Sequence, residues 1–157
     1  MAALWLLAAF LFSQIAARWF SIRGVYPDAF LVAVIYYALH SDSRRAGIYG
    51  LIAGLCEDLL DLGSGGSWTV STTLVGLLAG MLSRNFFSDS LLLAASLAAI
   101  ATLVREAIFW IMRSLEGYPA GLAGIHFHAA LWQALLNAAL IAIVILLGRW
   151  RENYRTR

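Results

Sequence analysis

Five charged side chains that fall inside apolar stretches are the residues of this chain most able to do chemistry. They are Glu57, Asp58, Asp61, Arg105 and Glu106. A charge inside a membrane-spanning segment is costly, so each such group is by default a candidate for a functional role. Three roles remain open: mutual neutralisation that fixes helix packing, a relay for protons or ions, and a pocket for a partner or ligand.

Helix geometry gives the depth of these groups. With a rise of about 1.5 Å per residue, Glu57 and Asp58 lie about 17 Å along their helix and Arg105 lies about 21 Å along its own. An Asp58–Arg105 pair is therefore expected if the two helices are neighbours and enter the membrane from the same side. Glu57 and Asp61 share one helix face, whereas Asp58 is rotated by about 100° from Glu57.

The remaining reactive residue types do not form a pattern typical of catalysis or metal binding. His126 and His128 are two positions apart on a predicted helix, so they point to nearly opposite sides and cannot hold one ion together. Cys56 is the only cysteine, which excludes an intramolecular disulfide and a thiol-built metal site. The hydroxyl side chains of residues 71–73 have no histidine beside them in sequence. We expect no catalytic residue, no metal and no cofactor.

Two pairs of glycines have the spacing that allows helices to approach closely. Gly50 and Gly54 form one pair, and Gly76 and Gly80 form the other. A small residue at every fourth position leaves a smooth strip on a helix, against which another backbone can pack. The four glycines are therefore predicted either to pack two helices of this chain together or to bind a partner helix.

The elements that must position these residues are membrane helices. The chain is 62% hydrophobic and its mean hydropathy is +0.79, whereas soluble domains are about 45–50% apolar. We expect an all-α integral membrane protein with a single domain over residues 1–157 and a bundle of about six transmembrane helices. Their predicted ranges are about 2–17, 28–40, 46–62, 68–82, 91–112 and 125–148. Because several ranges are short for a bilayer, four crossings with a re-entrant pair remain an alternative.

The arginines predict the orientation of the bundle. With six crossings, seven arginines lie on the face that holds both termini, and three lie on the opposite face. Basic residues are enriched on the cytoplasmic side, so we expect a multi-pass protein of the cytoplasmic membrane with both termini in the cytoplasm. Four of the seven are in the tail that follows the last helix, where a contact with the bilayer surface is favoured over nucleic-acid binding. The seven are Arg44, Arg45, Arg84, Arg149, Arg151, Arg155 and Arg157.

Several segments together resemble a known family. They are residues 26–28 (YPD), 44–47 (RRAG), 50–60 (GLIAGLCEDLL), the Gly-rich loop that follows, 74–80 (LVGLLAG) and, more loosely, 135–138 (LLNA) with 149–150 (RW). This pattern is similar to the rod shape-determining protein MreD family, and Pro27, Gly54 and Asp58 match the family motif. Glu57 and Asp61 do not obviously match it.

The resemblance implies a non-enzymatic scaffold of the bacterial cell-elongation complex. Such a protein binds MreC and helps to couple MreB filaments to peptidoglycan synthesis by RodA and a class B penicillin-binding protein. The resemblance also implies a fold similar to the substrate-binding subunits of energy-coupling-factor transporters. Two alternatives remain: a solute-binding subunit of a vitamin transporter, with a pocket near Asp58, Arg105 and Trp110, and a proton-coupled carrier.

Overall fold

The described part of the chain is helical, and the all-α class is confirmed. The computed structural model describes residues 8–12, 21–86 and 90–155, and within these ranges there is no β-strand, only an isolated bridge between Ile22 and Val25. Most of the predicted first helix, together with Arg18 and Arg157, lies outside the described residues. The helices are a stretch at 8–12 (α1), Ala29–Leu39 (α2), Ser43–Leu60 (α3), Ser67–Phe86 (α4), Leu91–Leu115 (α5) and Ala123–Arg155 (α6), with a 3₁₀ turn at Ala120–Leu122.

Side-chain caps fix where three of these helices begin. Asp28, Asp42 and Ser90 each precede a helix, and each accepts a hydrogen bond from the backbone N–H three residues on. Such a cap satisfies one of the N–H groups that the first turn of a helix leaves without a partner. The cap at Asp42 explains why α3 begins at Ser43 and not at Ala46.

Other helix ends differ from their predicted positions as well. α3 ends at Leu60 instead of residue 62, and α5 continues to Leu115 instead of residue 112. α4 covers 67–86 against a predicted 68–82, and α6 covers 123–155 against 125–148. Ser83, the first residue past the predicted end of α4, is still helical, and its hydroxyl lies within hydrogen-bond distance of the carbonyl oxygens of Ala38 (2.8 Å) and Gly80 (3.2 Å).

The short helix α2 lies at the centre of the bundle. It packs against α3, α4, α5 and α6, and eight of its eleven residues are buried. An apolar helix of 10–14 residues is too short to span a bilayer comfortably and is typical of a buried core helix. The main core joins α2 with α3, α4, α5 and α6 through Leu31, Val32, Ile35, Ala38, Ala46, Val75, Ala79, Leu97, Ala98, Ala101 and Ile141.

Two of the described helices are long and apolar enough to cross a membrane, namely α5 and the segment Ala120–Arg151, which includes most of α6. α2 and α4 are apolar over shorter lengths, 29–39 and 67–83. α3 has 18 residues, but it carries Arg44, Arg45, Glu57 and Asp58. The number of crossings therefore stays a prediction.

Candidate functional site

The centre of the site is Arg105, a buried arginine on α5 whose side chain is 1% exposed and which contacts three carboxylates. One terminal nitrogen donates to Glu57 on α3 at 2.7 Å. The other donates to Glu106 at 3.0 Å and forms an ion pair with Asp28, the cap of α2. Arg105 therefore ties α2 and α3 to α5 through charge-assisted bonds, which are stronger than bonds between neutral groups.

Each carboxylate has a further partner. The second oxygen of Glu57 accepts the hydroxyl of Thr72 on α4 at 2.9 Å. The second oxygen of Glu106 lies 3.4 Å from Nε2 of His126 on α6. The other oxygen of Asp28 accepts the backbone N–H of Leu31, in the first turn of α2, at 3.0 Å. Five helices, α2 to α6, thus meet at this charge cluster, which we define as Asp28, Glu57, Arg105 and Glu106.

A neutral side chain joins the first and last of these helices beside the cluster. Oδ1 of Asn137, which is fully buried on α6, accepts the backbone N–H of Asp28 at 2.7 Å. Its Nδ2 donates to the hydroxyl of Thr102 on α5 at 3.0 Å. Because a buried amide without partners is costly, these bonds fix the position of α6 against α2 and α5.

The predicted Asp58–Arg105 pair is wrong. Oδ1 of Asp58 accepts the hydroxyl of Ser64 and the backbone N–H of Trp68, and Oδ2 accepts both the N–H and the hydroxyl of Thr69. Asp58 therefore caps the start of α4 from the neighbouring helix. Glu57 reaches Arg105 instead, because adjacent residues on a helix differ by about 100° in direction and only one of the two can face α5.

Asp61 lies at the edge of the cluster and is exposed. Its Oδ2 accepts the indole N–H of Trp68 at 3.1 Å. The ring of Trp68 stacks on Phe109 with a centroid separation of 3.9 Å, and the guanidinium carbon of Arg105 lies 4.6 Å from the centroid of the Trp68 ring. Asp61 thus holds the aromatic ring that covers one side of Arg105.

The four glycines lie between α3 and α4. A Cβ atom built at Gly50 or Gly54 would lie 2.6 Å from backbone atoms of α4, and one at Gly76 or Gly80 would lie 2.6 or 2.7 Å from backbone atoms of α3. No side chain fits at these distances, so the two backbones are in direct contact. The structure places the glycines in contacts within the chain.

An open cavity of about 520 Å³ leads from the surface to the cluster. Asp28, Glu57 and Arg105 lie at its buried end, and the exposed residues Tyr26, Leu60 and Asp61 lie at its rim. Ligand sites in proteins have volumes of about 300–1,000 Å³. The cavity therefore has the size of a binding site for a small molecule, and it exposes charged groups to the exterior.

The other reactive side chains are engaged structurally. The hydroxyls of Ser71 and Thr73 bond to backbone carbonyls of their own helix, and Cys56 packs beside the core. His126 lies 5.0 Å from the ring of Trp110, between centroids. Among the described residues, no three His, Cys, Asp or Glu side chains are grouped so that they could hold a metal ion.

Comparison with known proteins identifies the family. The family model of the rod shape-determining protein MreD matches residues 1–150. The chain belongs to the MreD family. No curated protein and no solved structure gives a significant match. Membership supports a role in rod-shape determination and a location in a membrane, and the MreD family is not known for enzymatic activity.

Two residues that bond within this network of the MreD chain, Asp28 and Asn137, were not predicted from the sequence to be site residues. Asp28 immediately follows Pro27 and precedes an apolar run, which is the position of a helix cap, so its second role in an ion pair was hidden. Asn137 is an isolated amide in a long apolar helix, and that isolation was the available signal. Of the residues matching the family motif, Pro27 lines the cavity, Gly54 contacts α4 and Asp58 caps it.

Proposed function

We propose that this MreD chain is a non-enzymatic scaffold that binds MreC in the bacterial cell-elongation complex. The observation that carries the proposal is the family match over nearly the whole chain. In this role the bundle forms a single domain, crosses the cytoplasmic membrane about six times with both termini in the cytoplasm, and resembles the substrate-binding subunits of energy-coupling-factor transporters in fold. Through MreC it helps to couple MreB filaments to RodA and its class B penicillin-binding protein.

The charge cluster supports a scaffold. Its three carboxylates bind Arg105, and the four charged groups together with their further partners come from five helices of the chain. A network of this kind is costly to break, because removing one member leaves a buried charge without a partner. Such a network gives the bundle one defined arrangement, which is what a platform for other membrane proteins needs.

The proposed contact surface for MreC is an apolar groove between α1, α2 and α6. The groove has a volume of about 320 Å³, and four of the residues that line it are the alanines Ala8, Ala9, Ala29 and Ala33. Small residues let a partner helix approach closely in a membrane. The four glycines already pack α3 against α4 and are not available to a partner helix. We therefore assign the groove, which is apolar and rich in small residues, to the transmembrane helix of MreC.

Site-directed crosslinking to MreC tests this assignment. In a Cys56→Ala background, cysteines at Ile143 and Leu147, which line the groove, are expected to crosslink to a cysteine scan of the MreC transmembrane helix. Leu51→Cys and Leu55→Cys on α3 are matched controls, because those side chains are also exposed and apolar. Crosslinks at the α3 positions alone would place the MreC contact on α3 and contradict the assignment to the groove. Failure of the two proteins to copurify would refute the scaffold proposal itself.

A further inference from the structure

α3 has an exposed apolar stripe along one side. The side chains of the stripe recur three and four positions apart, as residues on one face of a helix do, and they are 41–75% exposed. With about 1.5 Å of rise per residue, the stripe extends about 17 Å from residue 48 to residue 59. Half the hydrocarbon thickness of a bilayer is about 15 Å, so the stripe has the length of one lipid leaflet. Its members are Ile48, Leu51, Ile52, Leu55 and Leu59.

Two arginines lie where this stripe begins. Arg44 is one helical turn before Ile48 and therefore shares its face of α3. It is exposed and forms no ion pair within the described part of the chain. Arg45 pairs with Asp42 at 3.4 Å, yet its side chain is 73% exposed. The apolar stripe is thus continuous with a surface that has an excess of positive charge.

The neighbouring helix α4 adds a second apolar stripe and one wall of a notch. The stripe on α4 is 42–57% exposed, and α4 is in direct backbone contact with α3. The notch has a volume of about 420 Å³ and opens beside Arg45, where α2 and α4 end and α3 begins. Its lining is polar apart from Leu39, and the hydroxyls of Ser41 and Ser83 already donate to carbonyls of α2. The members of the α4 stripe are Leu74, Leu78, Met81 and Leu82.

We propose that this surface of α3 and α4 binds an anionic phospholipid. The phosphate contacts Arg44 and Arg45, because a guanidinium can donate two parallel N–H bonds to phosphate oxygens. The rest of the headgroup occupies the notch, and the acyl chains lie on the two stripes. A water-soluble anion or an acidic protein segment would use the arginines alone, so the junction of charge and apolar surface favours a lipid. The inference goes beyond the scaffold function and does not depend on MreC.

Native mass spectrometry of the full chain in detergent micelles measures the binding. Phosphatidylglycerol is compared with phosphatidylethanolamine of the same acyl chains, because the two lipids differ in net charge and share the same apolar part. Phosphatidylglycerol is expected to bind at least fivefold more tightly, since each arginine near a membrane surface changes the affinity for anionic lipid by about fivefold. Glycerophosphoglycerol, the same headgroup without acyl chains, is expected not to displace it. Equal affinity for the two lipids, or displacement by glycerophosphoglycerol, would overturn the proposal.

Variants separate this site from an effect of overall charge. Arg44→Gln is expected to weaken phosphatidylglycerol binding about fivefold, and Arg44→Gln combined with Arg45→Gln about 25-fold, with phosphatidylethanolamine binding unchanged. Both side chains are exposed, so the variants are expected to fold. Arg23→Gln is the matched control, because it removes the same charge from the connection before α2, at the opposite end of that helix. An equal loss of affinity in Arg23→Gln and Arg44→Gln, or no loss in either, would overturn the proposal.

Discussion

A single methyl group added at Gly54 is expected to force α3 and α4 apart. The Cβ of Gly54→Ala would lie 2.6 Å from Cα of Thr69 and 2.8 Å from the carbonyl oxygen of Trp68. Both atoms belong to the backbone, so no rotamer change can relieve the overlap. Ordinary contact for a Cβ begins at 3.4 Å, so the two helices must separate locally by about 0.8 Å.

The cost follows from that separation. A gap of about 0.5–1 Å removes a quarter to a half of the dispersion energy of each atom pair, and overpacking of a filled core costs about 1–3 kcal/mol. We expect Gly54→Ala to lower the free energy of unfolding by about 2 kcal/mol. Gly54→Leu is expected to cost more and to reduce the yield of folded protein.

Unfolding by SDS in mixed micelles measures this difference. The matched control is Gly124→Ala on α6, where the added Cβ has no atom within 4 Å and the stability is expected to stay within about 0.5 kcal/mol of the unaltered chain. Equal stability of Gly54→Ala and Gly124→Ala would refute the claim that the α3 and α4 backbones are in direct contact.

Three further substitutions have defined outcomes. Asp58→Ala is expected to destabilise the bundle by about 1–2 kcal/mol because it removes the cap of α4. Asp58→Asn is expected to cost less, since one amide oxygen remains as an acceptor, and SDS unfolding compares the two variants. Arg105→Met leaves three buried carboxylates without their cation, so a loss of about 3–5 kcal/mol is expected, and normal thermal stability in detergent would contradict the role of Arg105. Asn137→Leu leaves the N–H of Asp28 without its acceptor and is expected to cost about 1–3 kcal/mol, with faster amide exchange at Asp28 as a second measure.

The sequence predicted the helical class and singled out three members of the charge cluster, Glu57, Arg105 and Glu106, because charges within apolar stretches are visible in composition alone. The start of α5 at Leu91 was predicted at the observed residue, since an apolar run begins there. The depth estimate also placed Glu57 and Arg105 at similar levels, and the two are bonded.

Which side of each helix contacts which neighbour could not be predicted from a single sequence. Glu57 and Asp58 are adjacent, and nothing in their spacing shows which of them faces α5. That choice depends on the close contact between α3 and α4, which brings Asp58 to the first turn of α4. The Asp28–Asn137 bond joins residues 109 positions apart, and neither residue has a local signal that names the other.

The bond between Asp28 and Asn137 also has a consequence for biosynthesis. During synthesis α2 is made before α5 and α6. Asp28 therefore lacks its partners Arg105 and Asn137 until those two helices have been made. Until the last helix is inserted, the early helices hold polar groups whose partners have not yet been made. A chain that stops after α5 therefore lacks the acceptor for the backbone N–H of Asp28 and cannot form the bond that joins α6 to α2.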